Sequence, residues 1–185
     1  MERSAVFAGF GGQGLLFAGQ VLARAGIHDG LEVFWIPSYG PEMRGGTASC
    51  TVIVGDREIG SPVVDRYDAA VVMNPPSFVK FAPRVGDGGL LVVNASLVDL
   101  DDVGAPAGVA LLPLRCTELA AGAGDDTLVS VVALGALVER LGWVSPEAVR
   151  ATIREIVGAK RPHVLEADLR AFEAGREAAV PIPAA

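Results

Sequence analysis

A glycine-rich turn between an apolar strand-like segment and an apolar helix-like segment constrains the fold of this chain most. Residues 4–8 form a short apolar run typical of a buried strand, and residues 15–25 have the apolar spacing of a helix. Between them lies Gly9-Phe10-Gly11-Gly12-Gln13-Gly14. A second strand-like run at 32–36 completes a strand–helix–strand unit, which predicts a parallel pair of strands with a right-handed crossover.

The rest of the chain continues this α/β pattern. Residues 47–54 alternate in polarity as a strand does, and Gly55-Asp56 favours a turn. With residues 57–59 as a short second strand, this pattern predicts a β-hairpin. Further strands are predicted at 68–73, 89–93 and 110–114, and further helices at 76–81, 127–141, 145–157 and 164–177. The predicted fold class is α/β, a three-layer α/β/α domain whose central sheet is mostly parallel but mixed.

Length and composition narrow the class of protein. The 185 residues suit one domain, residues 1–185, with an irregular tail at 178–185. A hydrophobic fraction of 51% is high for a free-standing soluble protein and favours a subunit. A net charge of -7 argues against nucleic acid as a partner. No apolar run approaches the roughly 20 residues that span a bilayer, so we expect no membrane partner and a cytoplasmic location.

The cysteines and histidines give no pattern of metal or cluster ligands. Cys50 and Cys116 are too few for the four thiolates that usually hold an iron–sulfur cluster. His28 and His163 are far apart in sequence and lack ligand spacing. No nucleophile or acid–base pair stands out, so the sequence predicts no metal site and no catalytic residue on this chain.

The polar segment after the second strand is the strongest candidate site. It reads Ser38-Tyr39-Gly40-Pro41-Glu42-Met43-Arg44-Gly45-Gly46 and follows the point where a strand should end, where open α/β sheets place their sites. Glu42 and Arg44 are separated by one residue, so an extended backbone would point both to one side. The flanking glycines would let a ligand or a foreign backbone approach closely.

Two glycine motifs leave alternatives open. The spacing Gly9-x-Gly11-x-x-Gly14 matches a dinucleotide fingerprint, but the second strand carries its acid, Glu32, at its beginning and none at its end. Three interpretations of the turn therefore stay open: it binds NAD, it binds another anion or phosphate, or it is a tight turn with a structural role alone. Gly86-Asp87-Gly88 resembles the opening of a thiamine diphosphate motif, but Asn94 follows too closely to complete it, and we interpret these residues as a turn.

Together, the glycine turn at 9–14 and the segment at 38–46 resemble the gamma subunit of 2-oxoacid:ferredoxin oxidoreductases. Further short segments that resemble this family occur along nearly the whole chain. They are Ser61-Pro62, Met73-Asn74, Lys80-Phe81 and Val132-Ala133-Leu134-Gly135. The chain departs from the family at two positions, where Ser130 and Asp168 each replace a usual asparagine.

The resemblance implies an assembly that converts a 2-oxoacid, coenzyme A and oxidised ferredoxin to acyl-CoA, CO2 and reduced ferredoxin. Thiamine diphosphate, magnesium and the iron–sulfur clusters are expected in partner subunits. These partners are alpha and beta subunits, with or without a delta subunit, and ferredoxin is expected to be a partner of the complex. The gamma subunit is expected to bind no cofactor alone and to complete the coenzyme A side or the subunit interface. Its binding residues would be those of the glycine turn and of the segment at 38–46.

The loop Ser38-Tyr39-Gly40-Pro41-Glu42 favours a 2-oxoglutarate enzyme, with pyruvate, branched-chain, aryl-oxoacid and indolepyruvate enzymes as rivals. From a different class, a free-standing Rossmann-like nucleotide-binding oxidoreductase remains an alternative, as does an interaction protein without a ligand. A dinucleotide-binding oxidoreductase needs an acidic residue at the end of the second strand to bind the ribose hydroxyls, and its absence here favours the subunit hypothesis.

Overall fold

Strands and helices alternate along the part of the chain that the structure describes. This structure is a computed structural model, and it describes residues 2–39, 47–104, 106–158 and 162–180. The strands are β1 Glu2–Phe10, β2 Glu32–Tyr39, β3 Thr47–Gly55, β4 Tyr67–Val72, β5 Val85–Asn94 and β6 Ala110–Leu114. The helices are α1 Leu15–His28, α2 Pro75–Phe81, α3 Leu100–Val103, α4 Cys116–Ala123, α5 Val129–Leu141, α6 Pro146–Ile153 and α7 Leu165–Ala179.

The strands form one mixed sheet in the order β2-β3-β1-β4-β5-β6. The pairs β1–β4, β4–β5 and β5–β6 are parallel. β3 is antiparallel to both of its neighbours, β1 and β2. The predicted α/β class with a mixed sheet is confirmed. The prediction that β1 and β2 pair directly was wrong, because β3 lies between them, although both strands run in the same direction.

The hairpin is formed by different strands from those predicted. β3 pairs along its whole length with β1, from Glu2 opposite Gly55 to Phe10 opposite Thr47, and also with β2. Residues 57–59 form no strand. β3 makes nine residue pairs with β1 and eight with β2, which satisfies far more backbone groups than a three-residue return strand could, so β2 and β3 form the hairpin.

Helices cover both faces of the sheet unequally. The larger apolar cluster joins one face to α1, α4, α5, α6 and α7, and the smaller cluster joins the other face to α2 and the 3₁₀ turn at 82–84. The predicted three layers are therefore present. Short α3 and α4 were not predicted, and α7 extends to Ala179, two residues into the tail expected to be irregular. Residues 181–185 lie outside the described residues.

Glycines let α5 and α7 cross at backbone contact. A Cβ on Gly135 would overlap the carbonyl oxygen of Phe172, and one on Gly175 would overlap the carbonyl oxygen of Val132. Arg176 adds an ion pair from α7 to Glu139 of α5 at 2.7 Å. The main chains of the two helices are consequently in direct contact. A larger residue at either glycine would prevent this contact.

A bulge at the beginning of β5 takes up three extra residues. Tyr67 pairs with Val85, but Ala69 then pairs with Leu90, and Gly88 has a φ of 76°. The turn predicted at 86–88 is therefore an irregular part of the strand itself. Beyond it the pairing is regular up to Val72 opposite Val93, so β4 and β5 end level with each other.

Candidate functional site at the carboxyl edge of the sheet

The strand directions bring the predicted site segments to one edge of the sheet. We call it the carboxyl edge: β1, β2, β4, β5 and β6 end there, and β3 begins there. After β1 the chain passes to α1 on one face, and after neighbouring β4 it passes to α2 on the other. The ends of β1 and β4 thus flank a topological switch point, where open α/β sheets leave a crevice for ligands.

The glycine turn occupies one side of this crevice. The backbone N–H of Gln13 donates to the carbonyl oxygen of Phe10 at 3.3 Å, and the Gln13 side chain Oε1 accepts from the N–H of Phe10 at 2.7 Å. Gly12 and Gly14 have φ values of 100° and 75°, which favour glycine. No side chain of the described residues caps α1 after Gly14, which leaves N–H groups of its first turn available to a ligand.

Close packing fixes the glycine turn against its neighbours. A Cβ on Gly9 would lie 2.9 Å from the Cβ of Met73, and one on Gly14 would lie 2.6 Å from the Oγ of Ser130. Ser130, one of the two departures from the family pattern, therefore lies where α1 and α5 begin. Asp168, the other departure, is buried in α7.

The segment at 38–46 is described only at its beginning. Ser38 is exposed near the end of β2, and the backbone of Tyr39 pairs with Ala48. Thr47 at the start of β3 pairs with Phe10 of β1. The predicted residues Gly40, Pro41, Glu42, Met43, Arg44, Gly45 and Gly46 lie outside the described residues. The strands that flank them nevertheless end beside the glycine turn.

Two asparagines at this edge were not predicted as site residues. Asn74 follows β4, is fully buried, and its Oδ1 accepts from the N–H of Ser77 at 2.9 Å, which caps α2. Asn94 ends β5, is 1% exposed, and its Oδ1 accepts from the N–H of Ser96 at 3.2 Å. The available signal was an asparagine directly after each buried apolar run.

The titratable groups that the structure describes near this edge do not form an activated nucleophile. Ser96 Oγ donates to Glu118, and this hydrogen bond lowers the pKa of the Glu118 carboxyl, which makes it a weaker base. Burial raises the pKa of the Cys116 thiol, at the start of α4, to about 12. Burial likewise raises the pKa of Cys50 to about 12. Both thiols are protonated at neutral pH and are poor nucleophiles.

The sheet topology does not fit the dinucleotide interpretation of the glycine turn. That interpretation needs the second strand beside the first, with an acid at its end. Here β3 separates them, which moves β2 about 10 Å from β1. Glu32, opposite Gly55, lies at the other edge of the sheet.

The described residues also carry neither a metal-ligand set nor a spanning helix. Within them, no group of three or more histidine, cysteine, aspartate or glutamate residues is placed to hold a metal ion. Asp87 of the thiamine-like motif lies near the start of β5, at the opposite edge of the sheet, which we call the amino edge. Its Oδ1 is 3.8 Å from a guanidinium nitrogen of Arg66. No helix in these parts of the chain is long and apolar enough to cross a membrane.

Comparison with known proteins identifies the family. The family model described as pyruvate ferredoxin/flavodoxin oxidoreductase matches residues 4–178. Ketoisovalerate oxidoreductase subunit VorA of Methanothermobacter thermautotrophicus is 35% identical over 92% of this chain, but the match covers only 35% of VorA. 2-Oxoglutarate synthase subunit KorC of Methanothermobacter marburgensis is 35% identical over 96% of both chains. This chain thus spans about a third of the VorA protein and nearly all of KorC.

Solved structures agree with the sequence relatives. The gamma subunit of a keto/oxoacid ferredoxin oxidoreductase from Geobacter sulfurreducens is 31% identical, with a TM-score of 0.82 over 96% of this chain and 98% of that one. The 2-oxoglutarate:ferredoxin oxidoreductase of Magnetococcus marinus, with 2-oxoglutarate, coenzyme A and succinyl-CoA bound, is 25% identical, with a TM-score of 0.87 over 96% of this chain and 31% of that one. The resemblance predicted from two motifs is therefore confirmed, and the chain belongs to the pyruvate ferredoxin/flavodoxin oxidoreductase family of oxidoreductase subunits.

Proposed function

We propose that this chain is the gamma subunit of a thiamine-dependent 2-oxoacid:ferredoxin oxidoreductase. The complete enzyme would convert a 2-oxoacid, coenzyme A and oxidised ferredoxin to acyl-CoA, CO2 and reduced ferredoxin. The observation that carries the proposal is the carboxyl edge, where an uncapped helix start and the ends of β1, β2 and β3 meet without an activated nucleophile among the described residues. Such an edge suits binding and assembly better than catalysis.

The substrate proposed for this enzyme is 2-oxoglutarate. KorC, a 2-oxoglutarate synthase subunit, matches this chain over nearly the full length of both, whereas VorA carries the matching region within a much longer chain. The identities are equal at 35%, so the match in length supports the choice. Pyruvate, branched-chain, aryl-oxoacid and indolepyruvate enzymes remain rivals that an activity assay separates.

The chemistry-bearing cofactors belong, in this proposal, to partner subunits. Thiamine diphosphate would supply the carbanion chemistry of decarboxylation, with magnesium and iron–sulfur clusters on the same alpha and beta chains. The described residues of this chain do not fit these groups, since Asp87 lies at the amino edge and both thiols are buried and protonated. Its proposed contribution is to position partner surfaces and coenzyme A in a cytoplasmic complex.

The segment at 38–46 is the proposed contact with the thiamine-binding subunits. Arg44 and Glu42 would make charge-assisted hydrogen bonds to those subunits, or Arg44 would bind a phosphate of coenzyme A. Support comes from the strands on either side, because Tyr39 ends β2 and Thr47 begins β3 at the same edge as the glycine turn. The Magnetococcus structure, which holds coenzyme A, shares this fold.

Isolation of the complex through a tag on this chain tests the proposal. We expect a brown assembly with alpha and beta chains that reduces ferredoxin in the presence of coenzyme A, fastest with 2-oxoglutarate. Faster turnover with pyruvate or a branched-chain oxoacid would overturn the substrate assignment. A lone chain that binds NAD would overturn the subunit assignment.

Replacement of Arg44 tests the proposed contact. Loss of one charge-assisted hydrogen bond is worth about 1.5–3 kcal/mol, so Arg44→Ala should weaken assembly or raise the KM for coenzyme A by about 10- to 100-fold. Arg57→Ala is the matched control, because Arg57 is exposed beyond the opposite end of β3. Unchanged assembly together with an unchanged coenzyme A KM in Arg44→Ala would refute the contact.

A further inference from the structure

Three side-chain amides at the carboxyl edge have their oxygens held by backbone N–H groups. Gln13 Oε1 accepts from Phe10, Asn74 Oδ1 from Ser77, and Asn94 Oδ1 from Ser96, at 2.7, 2.9 and 3.2 Å. These three include both asparagines and one of the two glutamines of the chain. Because each oxygen is fixed, the NH2 end of each amide is fixed too, as a hydrogen-bond donor.

The NH2 ends of the two asparagines lack acceptors among the described residues. Within that part of the chain, the Nδ2 atoms of Asn74 and Asn94 are buried and have no hydrogen-bond partner, with the residues 0% and 1% exposed. Gln13 is half-buried, and the side-chain hydrogen bond that it makes to the described residues uses Oε1, which leaves Nε2 as a donor. A buried donor without an acceptor destabilises a folded protein, and a bound ligand could supply the acceptor that these groups lack.

Gln13 and Asn74 follow the neighbouring strands β1 and β4 at the switch point. A Cβ on Gly9 would overlap Gln13 Oε1 and lie 2.9 Å from the Cβ of Met73, so the Gln13 amide lies next to the end of β4. Met73 donates its N–H to the carbonyl oxygen of Ala8 at 2.9 Å, and Asn74 comes directly after it. The uncapped start of α1 adds backbone donors at the same place.

We propose that Gln13 and Asn74 donate their amide hydrogens to an oxyanion bound in this crevice, at the start of α1. A group of neutral donors with the positive end of a helix dipole suits a phosphoryl or carboxylate group. Asn94, one strand further along the edge, extends the donor set. If the proposed function holds, on which the identity of the ligand rests, the oxyanion belongs to coenzyme A or to the 2-oxoacid.

Two substitutions remove a donor while they keep the local fold. Gln13→Glu retains the oxygen that accepts from Phe10 but replaces the NH2 by a second, negatively charged oxygen. Asn74→Ser keeps an N-cap oxygen for α2 and deletes the NH2. Gln20→Glu is the matched control, because Gln20 is the only other glutamine and lies half-buried on the same helix.

Steady-state kinetics of the purified complex test the proposal. We expect Gln13→Glu to raise one KM by about 10- to 100-fold, Asn74→Ser to raise the same KM in the same direction, and Gln20→Glu to change it less than twofold. A raised KM for coenzyme A identifies a phosphoryl group, and a raised KM for the 2-oxoacid identifies a carboxylate. Values of both KM within twofold of wild type in assembled variants would overturn the proposal, as would weakened assembly with unchanged KM.

A binding measurement separates this proposal from the function of the complex. Inorganic pyrophosphate is the probe, and the melting temperature of the purified complex is the readout. We expect pyrophosphate to raise the melting temperature of wild type and Gln20→Glu but not of Gln13→Glu. If the complex has no coenzyme A-dependent activity, the proposed function fails, and this measurement still decides on the oxyanion site. Equal shifts in all three proteins would overturn the site.

Discussion

Gly135 and Gly175 at a helix crossing use the missing side chain for one purpose, and Gly12 at the carboxyl edge uses it for another. At the α5–α7 crossing, the Cβ positions of Gly135 and Gly175 are filled by the backbone of the other helix. At the carboxyl edge, a Cβ on Gly12 would meet none of the described residues within 4 Å, and glycine is needed there for its φ of 100°. Glycines of the first kind hold the fold together, whereas those of the second kind leave room at the candidate site.

The largest effect is expected at the helix crossing. Gly175→Ala would place a methyl group on the Val132 carbonyl oxygen, so α5 and α7 must separate. We expect the free energy of unfolding to fall by about 3 kcal/mol or more, because main-chain atoms cannot yield as a side chain can. Urea denaturation of the purified chain or complex measures it.

Gly122→Ala is the control for this prediction. Gly122 also lies in a helix, α4, but a Cβ there would meet no described residue within 4 Å. Alanine should therefore stabilise the protein by about 0.5–1 kcal/mol through helix propensity. A comparable loss of stability in both variants would show that the crossing is not special.

The next largest effect concerns the protonated thiols of the interior. The pKa values of Cys50 and Cys116 are raised from 9.0 to about 12, so the folded state binds these protons more tightly than the unfolded chain. This contribution is present below pH 9 and is lost as the pH rises from 9 towards 12. By pH 10 we expect a loss of about 1.4 kcal/mol per thiol.

Urea denaturation at pH 8 and pH 10 checks this expectation. The variant with Cys50→Ala and Cys116→Ala should lose less stability between the two pH values than wild type does. Equal losses would mean that the thiols are not shielded in the way that their burial indicates.

The smallest effect on stability is expected at the carboxyl edge. Gly12→Ala should cost about 1–2 kcal/mol, because an L-residue resists a positive φ, and the open space adds no clash. The same change should impair the complex more than its effect on stability accounts for, measured as ferredoxin reduction at saturating and limiting coenzyme A. Normal activity in Gly12→Ala would remove the distinction between the two regions.

Much of the fold follows from the sequence because local patterns dominate it. The buried strands β4 and β5 and a helix that begins near Ser145 were predicted from residue patterns, and the structure confirms them. The neighbour of β3 could not be predicted, since polarity alternation gives the facing of a strand and not its partner. Helix α4 was missed because its eight residues include a glycine.

The site was predictable in its segments but not in its donors. The glycine turn and the segment at 38–46 are recognisable by residue type, and strand directions bring their ends together. That Asn74 and Asn94 are buried with unpaired NH2 groups depends on the level ends of β4 and β5, a long-range outcome of packing.

The bulge at the beginning of β5 offers a place for a reporter group. Because the extra residues are absorbed at the amino edge, the strand ends some five residues away keep their alignment, roughly 15 Å distant. The Asp87 side chain there is 91% exposed, while both native cysteines are buried. A single Asp87→Cys substitution would thus accept a fluorescent or spin label selectively, and subunit docking could be followed in real time with the opposite edge untouched.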